Sequence, residues 1–463
     1  MADPRKSLYS LAAALVLTLL LPGTAGAMPS FARQTGQACS ACHVGSFGPQ
    51  LTSFGRAFKL NGYTWGDQGN LLTNLSGMAS ATYENVSKNY NQVTDAGNSP
   101  GSLATRFGDN NNVSLDYAAF YYAGKLTDNI GVISQSTYTE TNRHFNLDWT
   151  DIRYANTATL AGQSLVYGIT LNNNPTVQDA WQSSGAWGFP YAGPYIALAP
   201  TPNWSASPYM LGLADRTGGA GIYALWNDLL YVEIAGYRTF SNKTQLVLGQ
   251  DGGAVSDHLD GTAPYWRVNL QHDFGPHYVA IGTYGMDARR FPGNMRDNGS
   301  DEFLDYALDG TYQGTFDGGT HIVSVYGSAL HEEQSLNGSV AAGWAANRKN
   351  DLTVLKANAS YYYDNTYGVT VARVFTEGSA DPVLYASQTN PRPNNAYWTL
   401  QLDYTPFGKD DSFASPYLNI RFFVQYYIYD KFNGSENAYN NNGAPLRNAS
   451  DNNTLYTGAW VAF

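Results

Sequence analysis

The chain of 463 residues has only two cysteines, three positions apart, so a framework of disulfides is excluded. A bridge between Cys39 and Cys42 would close too short a loop to restrain the unfolded chain by much. Long apolar runs are equally scarce. One, Leu11 to Leu21, follows the basic pair Arg5 and Lys6 and precedes Ala25-Gly26-Ala27. That is the layout of a secretory signal peptide spanning residues 1–27, which starts the mature chain at Met28. Its core is shorter than the ~20 residues a membrane helix needs. No second run follows, so transmembrane helices are not expected. Charge is sparse too: Asp, Glu, Lys and Arg make up 14% of the residues, and a net charge of −11 argues against a nucleic-acid partner.

What the chain has instead is tyrosine (35), glycine (47) and repeated two-residue alternation. In Ala396–Tyr404, Trp398, Leu400, Leu402 and Tyr404 share one face, with Thr399, Gln401 and Asp403 on the other. Trp266, Val268 and Leu270 alternate with Arg267, Asn269 and Gln271. Ile420, Phe422, Val424, Tyr426 and Ile428 alternate with polar residues such as Arg421 and Gln425. Alternation alone fits a soluble sandwich as well as a membrane barrel. The connections separate the two: tight turns such as "KLTDN", "WNDL" and "FDGGT" alternate with long Asn/Gly/Asp-rich loops. That is the outer-membrane pattern, with turns in the periplasm and loops outside. The fold class expected for 71–463 is an all-β transmembrane barrel of about sixteen antiparallel strands. The final strand ends on Phe463, as barrel-assembly signals do. The segment from Asn173 to Thr217 is the least regular, and "PYMLGLA" within it is a candidate extra strand.

The cysteines stand in "QACSACH", Gln37–His43. Zinc needs four ligands, and Cys39, Cys42 and His43 supply three with no second cluster. In an exported protein, C-x-x-C-H instead points to covalent attachment of one haem c, the thiols adding across its vinyl groups and His43 becoming the proximal iron ligand. The motif sits in a module of residues 28–70, too small for a large core of its own. There Leu51, Phe54 and Phe58 recur at helical spacing, and Asn61-Gly62 supplies a stop. A haem would serve such a module as its core.

The run "MPSFARQTGQACSACHVGSFGPQLTSFGRAFKLNGYTW" resembles the haem module of the fused outer-membrane cytochrome–porins. The matching residues are Phe31 to Gly36, the Cys39/Cys42/His43 motif, Pro49, Phe54-Gly55-Arg56, Phe58-Lys59 and Gly62-Tyr63. Val44 to Pro49 departs from the aromatic-rich stretch that follows the haem histidine in the neutrophilic iron oxidisers. The resemblance implies a haem module plugging a barrel in the bacterial outer membrane. It also implies an oxidoreductase-type electron carrier, taking electrons from extracellular Fe(II) to a periplasmic c-type cytochrome. The alternatives are a conduit for another external donor or acceptor, and a passive porin with a structural haem plug.

For the distal iron position the sequence offers Met78 or Met28, since no methionine occurs from Pro29 to Gly77. A methionine there would raise the haem potential. Barrel histidines (His144, His258, His272, His277, His321, His331) are further candidates. His331-Glu332-Glu333 and Asp301-Glu302 stand at external strand ends as candidate donor sites. Arg267, Lys356, Arg421, Asp403 and Glu233 are inward charges that could seat the plug.

Overall fold

In the computed structural model the described residues are 29–89, 110–139, 143–184, 187–200, 213, 216–250, 258–415, 417–439 and 446–463. The expected signal peptide, Met28 and nearly all of "PYMLGLA" lie outside them.

Alternating sequence becomes strand throughout the larger part. The first strands are β1 (Leu75–Val86), β2 (Asn111–Lys125), β3 (Ile130–Tyr138), β4 (Phe145–Leu160), β5 (Gln163–Asn172) and β6 (Thr217–Trp226). β7 (Leu230–Thr239), β8 (His258–Leu259), β9 (Ala263–Asp273), β10 (His277–Phe291), β11 (Asp301–Phe316) and β12 (His321–Ser335) follow. The last are β13 (Lys349–Tyr363), β14 (Tyr367–Gly378), β15 (Asn395–Tyr404), β16 (Asn419–Lys431) and β17 (Thr454–Ala462). All pairings are antiparallel, and β17 returns to β1 with Met78 opposite Ala462, so the sheet closes. The two-residue β8 pairs with the end of β10 in line with β9. Around the ring there are therefore sixteen strands.

The faces decide between sandwich and membrane barrel. On β15, Trp398, Leu400 and Leu402 are 41%, 41% and 60% exposed, while Thr399, Gln401 and Asp403 are 1%, 2% and 6% exposed. The apolar face looks outward and the polar face inward, the reverse of a water-soluble barrel. Tyr363, Tyr367, Tyr404 and Phe422 stand exposed near one rim, with Tyr367 and Tyr404 stacked at 5.2 Å. Outward apolar strands with an aromatic girdle are what a lipid bilayer solvates. The protein is a porin-like barrel of the bacterial outer membrane.

The connections are asymmetric. Ala161-Gly162, Asn227-Asp228 and Asp364-Asn365 all have positive φ, as two-residue hairpin turns of the I′ class require. At the opposite rim, 336–348 form a long connection, and 432–439 and 446–453 lie outside the strands as well. The step from β15 to β16 is the exception, its described residues 405–415 and 417–418 lying on the short-turn side.

The N-terminal segment lies in the short-turn mouth. Gly45 N–H donates to Asn365 Oδ1 (3.0 Å), Ser53 Oγ to Asp273 Oδ1 (2.7 Å), and Ser40 N–H to the Gly408 carbonyl (3.1 Å). It folds as α1 (Pro29–Thr35), α2 (Cys39–Cys42) and α3 (Ser53–Leu60). Thr52 caps α3 by accepting from Gly55 N–H, and Gly62 leaves it at φ 71°. The Leu51/Phe54/Phe58 stripe is only part of its packing. Phe54 stays 39% exposed, whereas Arg56 and Lys59 are buried at 2% and 5%. A helix inside a polar lumen is surrounded, so its charged face is covered as well. A second stretch, residues 173–184, folds inward against it, with Val177, Ala180 and Trp181 at most 1% exposed.

Candidate functional site

Between the N-terminal segment and the barrel wall lies a cavity of about 530 Å³. Cys39, Cys42 and His43 line it from the segment, and Met78 lines it from β1. Aromatic walls come from Phe31, Phe47, Tyr117, Trp149, Tyr456 and Trp460. One helical turn holds both thiols, and His43 N–H closes it on the Cys39 carbonyl at 2.8 Å. Two glycines make this approach feasible. A Cβ on Gly55 would sit 2.3 Å from the Cys42 carbonyl oxygen, and one on Gly45 would sit 2.3 Å from the Tyr362 ring. Glycine is the residue that fits such close contacts.

Neither thiol is in a disulfide, and burial pushes Cys39 up to about 11 and Cys42 up to about 12. Burial lowers His43 to about 4, so its ring is neutral at pH 7, the form in which imidazole ligates a metal. Several cavity-lining polar atoms are buried without a hydrogen-bond partner: His43 Nδ1, Ser46 Oγ, Ser80 Oγ, Asp148 Oδ1 and Gln182 Nε2. Orphaned polar groups of this kind call for a ligand or water. An apolar, aromatic-walled space with two thiols, a neutral imidazole and a few unspent donors fits a haem c.

The segment is seated by contacts to both the wall and the inward stretch. Tyr63 donates to Asp151 (2.7 Å), Arg56 to Gln313 (3.0 Å), and Lys59 to the carbonyls of Val177 (2.7 Å) and Asp179 (2.8 Å). Arg153 joins all three parts, pairing with Asp151 (2.7 Å) and donating to the carbonyls of Lys59 (3.2 Å) and Gln178 (2.6 Å).

Of the two methionines, Met78 is at the cavity and Met28 is outside the described residues. None of the six barrel histidines lines the cavity; His277 bonds Tyr312 (2.9 Å), His321 bonds Tyr361 (2.7 Å) and His331 bonds Thr353 (2.9 Å). The two candidate donor clusters do not form. Strand alternation turns Glu332 into the lumen at 0% exposure and leaves His331 and Glu333 on the other face. In the same way Asp301 is buried on Ser339, while Glu302 pairs outside with Arg289 at 3.1 Å. Among the described residues no group of three or more His, Cys, Asp or Glu side chains is placed to hold a metal ion. Arg267, Lys356, Arg421, Asp403 and Glu233 do face inward. Two of them pair with each other, Arg421 with Asp403 at 2.7 Å, and Arg267 pairs with Asp309 and Asp179.

No family model matches the chain, and no curated protein does. Among solved structures it is similar to the anion-selective porin from Comamonas acidovorans, at 12% identity and a TM-score of 0.45. That match covers 84% of this chain and 98% of the other. The outer membrane channel DcaP of Acinetobacter baumannii gives 11% identity and 0.46, over 84% and 96%. OmpF of Salmonella typhi, in complex with daunomycin, gives 14% and 0.45, over 84% and 97%.

Sequence reasoning missed Asp151, Arg153, Asp179 and Gln313 as seating residues. The first two carry a signal in the sequence: "TDIRYA" puts Asp151 and Arg153 two apart, on one face of an alternating strand. Asp179 carries none, because it lies in an irregular stretch.

Proposed function

We propose that the chain is an outer-membrane monohaem c-type cytochrome fused to its barrel, passing electrons between an extracellular donor, ferrous iron, and a periplasmic c-type cytochrome. One observation carries this reading: both thiols, His43 and Met78, drawn from two separate parts of the chain, line a single cavity. Cys39 and Cys42 would hold the haem covalently, His43 would ligate its iron, and Met78 is the candidate for the opposite position. The group itself would supply one-electron chemistry, taking an electron as external Fe(II) becomes Fe(III) and giving it up to the periplasmic acceptor. The surrounding residues exclude bulk water, keep the imidazole neutral and hold the module at the periplasmic mouth. Because the plug sits at that mouth, the ferric product would stay on the outer side.

A passive porin is the second reading, favoured by the wall of inward polar and paired charged side chains. Anaerobic titration of the purified protein with ferrous iron separates the two. A haem spectrum that becomes reduced supports the conduit, and an open pore in planar-bilayer recordings supports the porin.

A further inference from the structure

Gln182 is held in a conformation that its own backbone does not favour. Its φ is +64°, in the left-handed region that glycine enters freely and other residues at a cost. The chain on either side fixes it there. The Trp181 ring N–H donates to the Tyr278 hydroxyl (2.8 Å) on β10, and the N–H groups of Ser183 and Ser184 both donate to the Asp179 carboxylate (3.2 Å each). Strain held from both sides is concentrated where a side chain has a task.

The side chain is anchored at one end and open at the other. Leu51 N–H donates to Gln182 Oε1 at 2.7 Å. A backbone N–H only donates, so the amide cannot be turned over, and Nε2 is the end that remains. Nε2 is buried without a hydrogen-bond partner, in a residue that is 5% exposed and lines the cavity. Leu51 lines the cavity too and forms an antiparallel bridge with His43, so the amide is anchored beside the backbone of the proposed iron ligand.

Positive charge gathers at the same stretch. Lys59 is the one lysine or arginine among the described residues lining the cavity, and it holds the Val177 and Asp179 carbonyls at 2.7 and 2.8 Å. Burial lowers Lys59 to about 7, and an anion beside it would keep its ammonium charged.

We propose that Gln182 Nε2 donates a hydrogen bond to a carboxylate of the cavity's ligand, a propionate of the haem. The inference rests on the proposed function for that haem. A haem fixed through its vinyl groups keeps two propionates as its only hydrogen-bonding substituents. An ionised carboxylate only accepts, which suits an amide whose oxygen is already taken. Asp116 and Asp148, which line the cavity from β2 and β4, would repel a propionate, so it belongs with Gln182 and Lys59.

The test uses the full chain carrying its covalent haem. Gln182→Leu removes both ends of the amide, whereas Gln182→Glu keeps an acceptor for Leu51 N–H. The propionate bending band in resonance Raman spectra is expected to shift in Gln182→Leu. The haem midpoint potential is expected to fall in Gln182→Leu and further in Gln182→Glu, because an uncompensated carboxylate favours ferric iron. Protease resistance of the N-terminal segment should drop in Gln182→Leu alone. A structure of the wild-type holoprotein, which needs no variant to fold, should place Nε2 within ~3.2 Å of a propionate oxygen. An unmoved band and potential in Gln182→Leu, or a wild-type Nε2 bonded only to water or protein, overturns the inference and leaves the haem in place. A wild-type chain without covalent haem overturns the proposed function and this inference with it.

Discussion

The Tyr63 hydroxyl donates a 2.7 Å hydrogen bond to the Asp151 carboxylate, which also receives Arg153 at 2.7 Å and Thr170 at 2.8 Å. Through this one carboxylate the N-terminal segment is joined to β4 and β5. Asp151→Ala leaves Arg153, itself 0% exposed, as an uncompensated buried charge. Loss of one partner of a buried pair costs about 3–5 kcal/mol. Tyr63→Phe removes only the bridge and is expected to cost about 1–3 kcal/mol. Both should speed proteolysis of the segment while the barrel still resists denaturation, and Asp151→Ala should be the more severe. Equal protease resistance in all three proteins would contradict this seating.

Gly55 sets how closely α3 approaches the cysteine turn. Gly55→Ala places a Cβ against the backbone oxygen of Cys42, which cannot rotate away. Overpacking of this kind costs about 1–3 kcal/mol. The expected outcome is a lower melting temperature of the segment with an unaltered β-sheet circular dichroism signal. An unchanged melt would show that the helices are not in contact.

Lipid-facing positions respond oppositely to lumen positions. Leu400→Arg puts a charge on the outward face near the middle of β15, and such substitutions cost about 2–4 kcal/mol at the bilayer midplane. Folding titrations into lipid vesicles should register that loss, and Gln401→Asn, facing the lumen, should cost far less. The reverse order would mean that the faces are inverted.

Acid should loosen the long-loop rim at Asp381. Burial pushes its carboxyl up, but the N–H groups of Leu384, Asn347, Ala346 and Val383 outweigh that and hold it below the ordinary value. A lowered native value means the contribution is full above the unfolded carboxyl range, near ~3.9, and is lost as pH falls through the native value. Hydrogen exchange at Ala346 and Leu384 is expected to accelerate at the acid end in the wild type, and Asp381→Asn is expected to show fast exchange already at neutral pH.

The barrel was legible in the sequence because most strands obey a period of two, as on β13 and β15, and a bilayer keeps that period visible. "AYWTLQLDY" assigns both faces of β15 correctly. The turns were legible because pairs such as Asn227-Asp228 and Asp364-Asn365 tolerate positive φ. The cysteine turn could be located from the sequence, but the cavity around it could not. That space is closed by residues more than three hundred positions away, such as Tyr456 and Trp460, whose inward aim has no local signature. His331-Glu332-Glu333 misled for the opposite reason: neighbours in sequence on a strand point to opposite faces.

The central claim is covalent attachment at Cys39 and Cys42. The protein, expressed with cytochrome c maturation machinery, is purified from outer-membrane fractions and separated by denaturing electrophoresis with haem detection. The account predicts one chromophore per chain that survives denaturation and disappears in Cys39→Ala/Cys42→Ala. A wild-type band without chromophore, from a correctly folded barrel, would contradict it.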